Sequence, residues 1–160
     1  VRRAVETCGL DAVQIHAEHD RATWETFADL PVIPVLRMAN AASLQRLADL
    51  PGDCILLDAA VGAEAGGTGK AFDWSLSRGI PATRAVILAG GLTPQTVADA
   101  IQTVHPWAVD VSSGIESERG VKSPDRMRAF AAAVAAMAPS AEKSVDCVIH
   151  MPRVFSRRQT

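Results

Sequence analysis

The sequence is ordered by an alternation. Short apolar runs recur at residues 12–16, 32–37, 54–58, 85–89 and 107–112, and most are followed by a stretch with helical spacing or a capping residue. The run Cys54-Ile55-Leu56-Leu57-Asp58 is apolar almost throughout, as a strand buried on both faces requires. Asp20 reads as the cap of a helix carrying Trp24, Phe27 and Ala28, and Asn40 as the cap of one carrying Leu44 and Leu47. Thr93-Pro94 opens a helix aligning Val97, Ile101 and Val104, with the proline in the first helical position. Ser123-Pro124-Asp125 opens the last helix, on which Met127, Phe130, Ala131, Val134 and Met137 follow helical spacing. Strand–helix units repeating at this interval predict an α/β fold with a parallel sheet and right-handed crossovers. Periodicity leaves two closures open, a doubly wound open sheet and a (β/α)8 barrel. No G-x-G-x-x-G follows any strand, which disfavours the dinucleotide-binding version of the former.

Composition narrows the function classes. The formal net charge is -2, which leaves no electrostatic footprint for nucleic acid or an acidic membrane. No apolar run approaches the roughly 20 residues needed to span a bilayer, and the first residues lack the apolar core of a signal peptide. Cytoplasmic location follows by default. The three cysteines, Cys8, Cys54 and Cys147, are odd in number and contain no C-x-x-C. They predict neither a disulfide framework nor a zinc site, and no metal ligand set forms around His16, His19, His105 or His150. Residues 1–138 are expected to form the domain. Residues 139–160, with a basic end (Arg153, Arg157, Arg158) and no periodicity, are expected to be a poorly ordered tail.

Chemistry in a parallel α/β protein sits at the carboxyl ends of the strands. Those ends hold Gln14 and His16, then Arg37, Asp58, Gly90 with Gly91, and Asp110 with Ser112 and Ser113. Gly90-Gly91 before a helix start lets the backbone approach a ligand, and the helix start offers free N–H groups to an anion. Ser112-Ser113-Gly114 adds hydroxyls and further N–H donors on the next loop. Two such loops after the last two strands predict a phosphate site. Asp58, ending an apolar strand, reads as a helix cap or as a working acid or base; burial among apolar neighbours would favour its proton-donating form. Asp110 shares a face with Ser112, so it either orients the phosphate loop, touches substrate hydroxyls or makes a structural hydrogen bond. The loop Gly66-Gly67-Thr68-Gly69 is a substrate cover or a plain linker.

In combination, these segments resemble the phosphoribosylanthranilate isomerase family. The matching stretches are D-A-V-Q-I-H from Asp11, I-L-L-D to Asp58, G-G-T-G-K-A-F-D-W from Gly66, L-A-G-G-L from Leu88, V-D-V-S-S-G-I-E from Val109, and G-V-K from Gly120. The resemblance covers residues 1–138 and implies a (β/α)8 barrel, here a partial barrel of five units. It implies an Amadori rearrangement of N-(5-phosphoribosyl)anthranilate to 1-(2-carboxyphenylamino)-1-deoxyribulose 5-phosphate, in tryptophan biosynthesis, without cofactor or metal. Asp58 then matches the general acid; Gly91, Ser112 and Ser113 match the phosphate contacts, with Gly90 and Gly114 in the same loops; Asp110 and His16 line the site. The family's base is a cysteine on its first strand, and an arginine on its second strand holds the anthranilate carboxylate. This chain begins at what resembles the third helix, so a fragment without that base is expected. It would pair with the missing N-terminal part or with another chain through its open sheet edges. Ala17 stands where the family usually has glycine. The alternatives are another phosphate-binding barrel such as indole-glycerol-phosphate synthase, which would need a strand-end lysine where Lys70 and Lys122 fall in loops, or a non-catalytic phosphate-binding partial barrel.

Overall fold

The computed structural model describes residues 1–16, 21–59 and 73–137. Asp20, His19, Ala17, the 66–69 glycine loop, Lys70, Cys147 and the 139–160 segment fall outside these residues. Helix α1 (Arg2–Cys8) leads into strand β1 (Val13–Ile15), helix α2 (Arg21–Glu25) and strand β2 (Val32–Met38). A 3-10 helix (Ala41–Asp49) precedes β3 (Cys54–Ala59), and a second (Trp74–Gly79) precedes β4 (Ala85–Ala89). Then come α3 (Val97–Val104), β5 (Ala108–Val109), a 3-10 turn (Ser113–Ile115), a small antiparallel pair β6 (Glu116–Glu118) and β7 (Val121–Lys122), and α4 (Pro124–Met137).

Strands β1 to β5 form one parallel sheet in simple sequence order, β1-β2-β3-β4-β5. That order decides between the two closures. A doubly wound sheet reverses its strand order at a switch point and carries helices on both faces. Here the order never reverses, as in a barrel wall.

Register shows what each face does. Gln14 lies beside Ile33, Val35 beside Leu56, Arg37 beside Asp58, and Leu56 and Asp58 beside Ile87 and Ala89. In-register neighbours in a parallel sheet share a face, and the side-chain period is two. So one face carries Ile33, Val35, Leu56, Ile87 and Ala89 as a small apolar cluster with polar residues at its carboxyl end. The other face carries Val32, Leu36, Met38, Ile55, Leu57 and Leu88, and the helical segments supply Trp24, Leu47, Val97, Ala100 and Phe130 against it. Ile55, Leu57 and Leu88 have no exposed area, and each full burial contributes about 1.5–3 kcal/mol.

Local signals mostly act as read, with instructive shifts. Asn40 caps its segment by accepting from Ala42 N–H (2.9 Å), but the segment winds as a 3-10 helix. In that geometry residues three apart eclipse, which stacks Leu44 and Leu47 toward the core. Helix α2 ends at Glu25, so Phe27 and Ala28 lie in the turn that follows; Phe27 still meets Trp24 edge-on at 6.4 Å between centroids. Helix α3 starts at Val97, later than expected. Thr93 accepts from Thr96 and Val97 N–H (3.1 and 3.0 Å), so Pro94 opens a lead-in turn instead of the helix. Strand β5 is two residues long, although Trp107 and Asp110 N–H still donate to Val86 and Leu88 carbonyls (both 2.8 Å) and extend the ladder. On α4, Phe130 is buried and Ala133 and Val134 pack beside it, while Met127 is 47% exposed and Ala131 is exposed. The buried stripe is therefore rotated from the one expected.

Candidate active site at the carboxyl ends of the strands

The strand ends converge on one open cavity of about 330 Å³. Its lining includes His16, Asp58, Gly90, Gly91, Asp110, Ser112, Ser113 and Gly114, every residue singled out for the phosphate site and its acid. Gln14 joins them beside His16. Leu56, Ala89, Leu92 and Val111 form the apolar part of the lining and carried no chemical signal in the sequence. Arg37, although level with Asp58 in the register, is exposed and does not line the cavity.

Two loops shape the end of the cavity where phosphate is expected. Gly90 and Gly91 follow β4 with φ of 82° and 67°, a left-handed conformation that costs an L side chain about 1–2 kcal/mol per residue. Leu92 then buries its side chain in the helix-side core. On the neighbouring loop Gly114 has a different reason to be glycine. A Cβ there would stand 1.7 Å from the Leu92 carbonyl oxygen and 2.8 Å from its carbon. The two loops therefore touch backbone to backbone, with the Gly90-Gly91 and Ser112-Ser113 edges side by side on the cavity.

The serine loop is braced from behind by the β6–β7 pair, which the sequence reading missed. The Lys122 ammonium donates to the Ser112 carbonyl (2.9 Å), Ser112 Oγ (3.3 Å) and Glu116 Oε1 (2.7 Å). Glu116 Oε2 accepts from Gly120 N–H (3.0 Å), and Arg126 donates to the Glu116 carbonyl. The Lys122 ammonium, and next the Gly120 amide, hold the Glu116 carboxyl below its ordinary range. A salt-bridging Glu and Lys flanking an Arg-Gly turn was the available signal; the segment is short and polar and offers no alternation to read.

Asp58 sits at the end of β3, level with Ala89, and is only partly buried. The sealed apolar environment expected for it is thus partial: Leu56 and Ala89 flank it, and Gln14, His16 and Asp110 line the same cavity. Gln14 Nε2 lies 2.6 Å from His16 Nε2, which pairs amide and imidazole on the rim. The cysteines stand elsewhere. Cys54 is fully buried at the opposite end of β3, where burial pushes its thiol pKa up, and Cys8 is exposed at the end of α1. Lys122, expected in a loop, lies in β7 with its ammonium committed behind the serine loop, outside the cavity lining. Among the described residues no group of three His, Cys, Asp or Glu could hold a metal ion, and no helix is long and apolar enough to cross a membrane.

A sequentially ordered parallel sheet, helices on one face, and a polar cavity with two glycine-bearing loops at the carboxyl ends define a barrel-type α/β protein. Residues 1–133 match the family described as N-(5'-phosphoribosyl)anthranilate isomerase. The enzyme of that name from Rhodospirillum rubrum is 46% identical over 133 residues, covering 78% of this chain and 61% of its own length. The one from Citrifermentans bemidjiense is 43% identical over 128 residues, covering 80% and 62%. The solved phosphoribosyl anthranilate isomerase of Thermotoga maritima superposes with a TM-score of 0.70 at 34% identity, covering 84% of this chain and 66% of that one. A phosphoribosyl anthranilate isomerase solved with reduced 1-(o-carboxyphenylamino)-1-deoxyribulose 5-phosphate gives 0.69 at 31%, covering 84% and 64%. The chain belongs to the phosphoribosylanthranilate isomerase family. It spans about three-fifths of the length of the curated relatives it matches.

Proposed function

We propose that this chain carries the phosphate grip and the general acid of a phosphoribosylanthranilate isomerase. The observation that supports this most is the single cavity shared by Asp58 and by the Gly90-Gly91 and Ser112-Ser113-Gly114 loops. A substrate phosphate seated against the two loops would bring its ribose toward Asp58. There the carboxyl would protonate the ring oxygen of N-(5-phosphoribosyl)anthranilate, opening the ring to a Schiff base. Removal of the C2 proton from the protonated Schiff base then gives an enolamine, which tautomerises to the aminodeoxyribulose phosphate. Each step is a proton transfer, chemistry that a positioned carboxyl and a positioned base accelerate by about 10²–10⁴ each.

The C2 proton needs a base, and neither Cys8 nor Cys54 reaches the cavity. We assign that role to strands corresponding to the part of the relatives that the match does not span, joined to this chain or supplied by another. They would cover the partly exposed Ile33 and Ile87 on the inner face of the sheet and pair with its edges. A cytoplasmic location belongs to the same proposal. Lys122, held behind the serine loop, gives no support to a reaction that needs a lysine in the cavity.

The test mixes this chain with a polypeptide supplying the first three strand–helix units of the family and follows product formation. Turnover should appear on mixing and fall about 10²–10⁴-fold in Asp58→Asn. Full turnover by Asp58→Asn would remove the carboxyl from the mechanism.

A further inference from the structure

We propose that Lys122 is a positioning residue of the phosphate site, acting through Ser112. The inference rests on the reading of the cavity as a phosphate site and deepens it. An ammonium has three N–H donors and no acceptor. Here all three find partners: the Ser112 carbonyl at 2.9 Å, Ser112 Oγ at 3.3 Å and Glu116 Oε1 at 2.7 Å.

Two consequences follow for Ser112. Its hydroxyl must act as acceptor toward Lys122, so its own hydrogen is left to point elsewhere, and Ser112 lines the cavity. The bond also polarises the hydroxyl and makes it a better donor to an anion. Its carbonyl, held by the ammonium at 2.9 Å and more loosely by Ile115 N–H at 3.4 Å, fixes the plane of the Ser112–Ser113 peptide. In a planar trans peptide the N–H points opposite to the C=O. Ser113 N–H therefore faces away from Lys122, and Ser113 also lines the cavity. One buttressing lysine thus presents two donors, a hydroxyl and an amide, to the same anion.

The lysine is itself aimed. Glu116 is only 14% exposed at its side chain, and its second carboxylate oxygen is occupied by Gly120 N–H. Glu116 also neutralises most of the ammonium's charge, so long-range attraction of phosphate is not the role assigned.

Inorganic phosphate is the probe, titrated calorimetrically into the full 160-residue chain. Lys122→Met should weaken phosphate affinity about 10- to 100-fold, the scale of a lost hydrogen bond to a charged group. Glu116→Gln, a gentler change that retains the bonding shape, should weaken it several-fold and keeps the test available if Lys122→Met does not fold. A double-mutant cycle separates positioning from charge. Lys122→Met should have a smaller effect in a Ser112→Ala background than in the wild type, because the alanine removes the hydroxyl route and leaves the backbone carbonyl route in place. If wild type binds phosphate and both Lys122→Met and Glu116→Gln bind it equally well, the lysine's role is overturned and the phosphate site stands. If the effects of Lys122→Met and Ser112→Ala simply add, Lys122 does not act through the Ser112 hydroxyl, which overturns the inference that it presents both donors. If the wild type binds no phosphate, the phosphate-site reading fails and this inference with it.

Discussion

Gly114→Ala tests the geometry of the proposed phosphate end directly. The added methyl carbon would stand 1.7 Å from the Leu92 carbonyl oxygen, 2.8 Å from its carbon and 3.3 Å from Thr93 Cα. Non-bonded heavy atoms rest at about 3.5 Å, so the loops must part by about 1.8 Å. The obstacle is backbone, with no flexible side-chain end to swing aside, and Leu92 is anchored by its buried side chain. Overpacking of this kind costs about 3 kcal/mol. Displacing catalytic or binding groups by about 1 Å costs on the order of 100-fold. Gly91→Ala is the matched control. Its Cβ would meet nothing within 4 Å, so only the left-handed φ of 67° is penalised, by about 1–2 kcal/mol. Urea unfolding should rank the stabilities wild type, Gly91→Ala, Gly114→Ala, and phosphate titration should show the largest loss of affinity in Gly114→Ala. A Gly114→Ala protein with wild-type stability and unchanged phosphate affinity would refute the backbone contact between the loops.

Other expectations concern separate parts of the molecule. His105 caps α3 with φ of 49°, its N–H donating to the Ile101 carbonyl (2.9 Å), so His105→Gly should raise the unfolding free energy by about 0.5–1 kcal/mol in a urea titration. Leu57→Ala should lower it by about 2–5 kcal/mol, because Leu57 has no exposed area in the layer between sheet and helices. The Glu116 carboxyl is held below its ordinary 4.5 by Lys122 and Gly120. Its stabilising contribution is therefore complete above about 4.5 and lost as pH falls through the lower folded value. An NMR titration of the Glu116 side chain should give a midpoint below that of an unfolded peptide, and a midpoint at or above it would remove the clamp. Thiol labelling with mass mapping should modify exposed Cys8 quickly and reach buried Cys54, whose thiol pKa is pushed up, only on unfolding.

The sequence yielded most of the parts that depend on burial and chain direction. Cys54-Ile55-Leu56-Leu57-Asp58 could be read because a strand covered on both faces has no polar positions to spare until its carboxyl end. The same logic puts His16, Asp58, Gly90-Gly91 and Ser112-Ser113 on one rim, and all of them line the cavity. The choice between barrel wall and doubly wound sheet was not in the periodicity. It required strand order, which is set by which helices share a face. Boundaries shifted where two local signals competed, as at Thr93-Pro94, where the Thr93–Thr96 bonds make a turn before the helix begins. The β6–β7 clamp escaped notice because its stability comes from an ion pair and a bulged turn with Gly120 at φ 82°, and neither has an apolar period. Met127 is exposed because α4 buries the stripe that meets α3 and the 113–115 turn, and helical spacing alone does not set its rotation.

In the function proposed above, phosphate is held by the amide and hydroxyl groups of two adjoining loops beside Asp58. An amide-resolved NMR titration of the whole chain with inorganic phosphate tests it most directly. Gly91, Ser112, Ser113 and Gly114 should move together with one dissociation constant, followed by smaller shifts at Asp58. Shifts confined to the opposite end of the sheet, around the cavity lined by Trp24, Leu50 and Gly52, would contradict it.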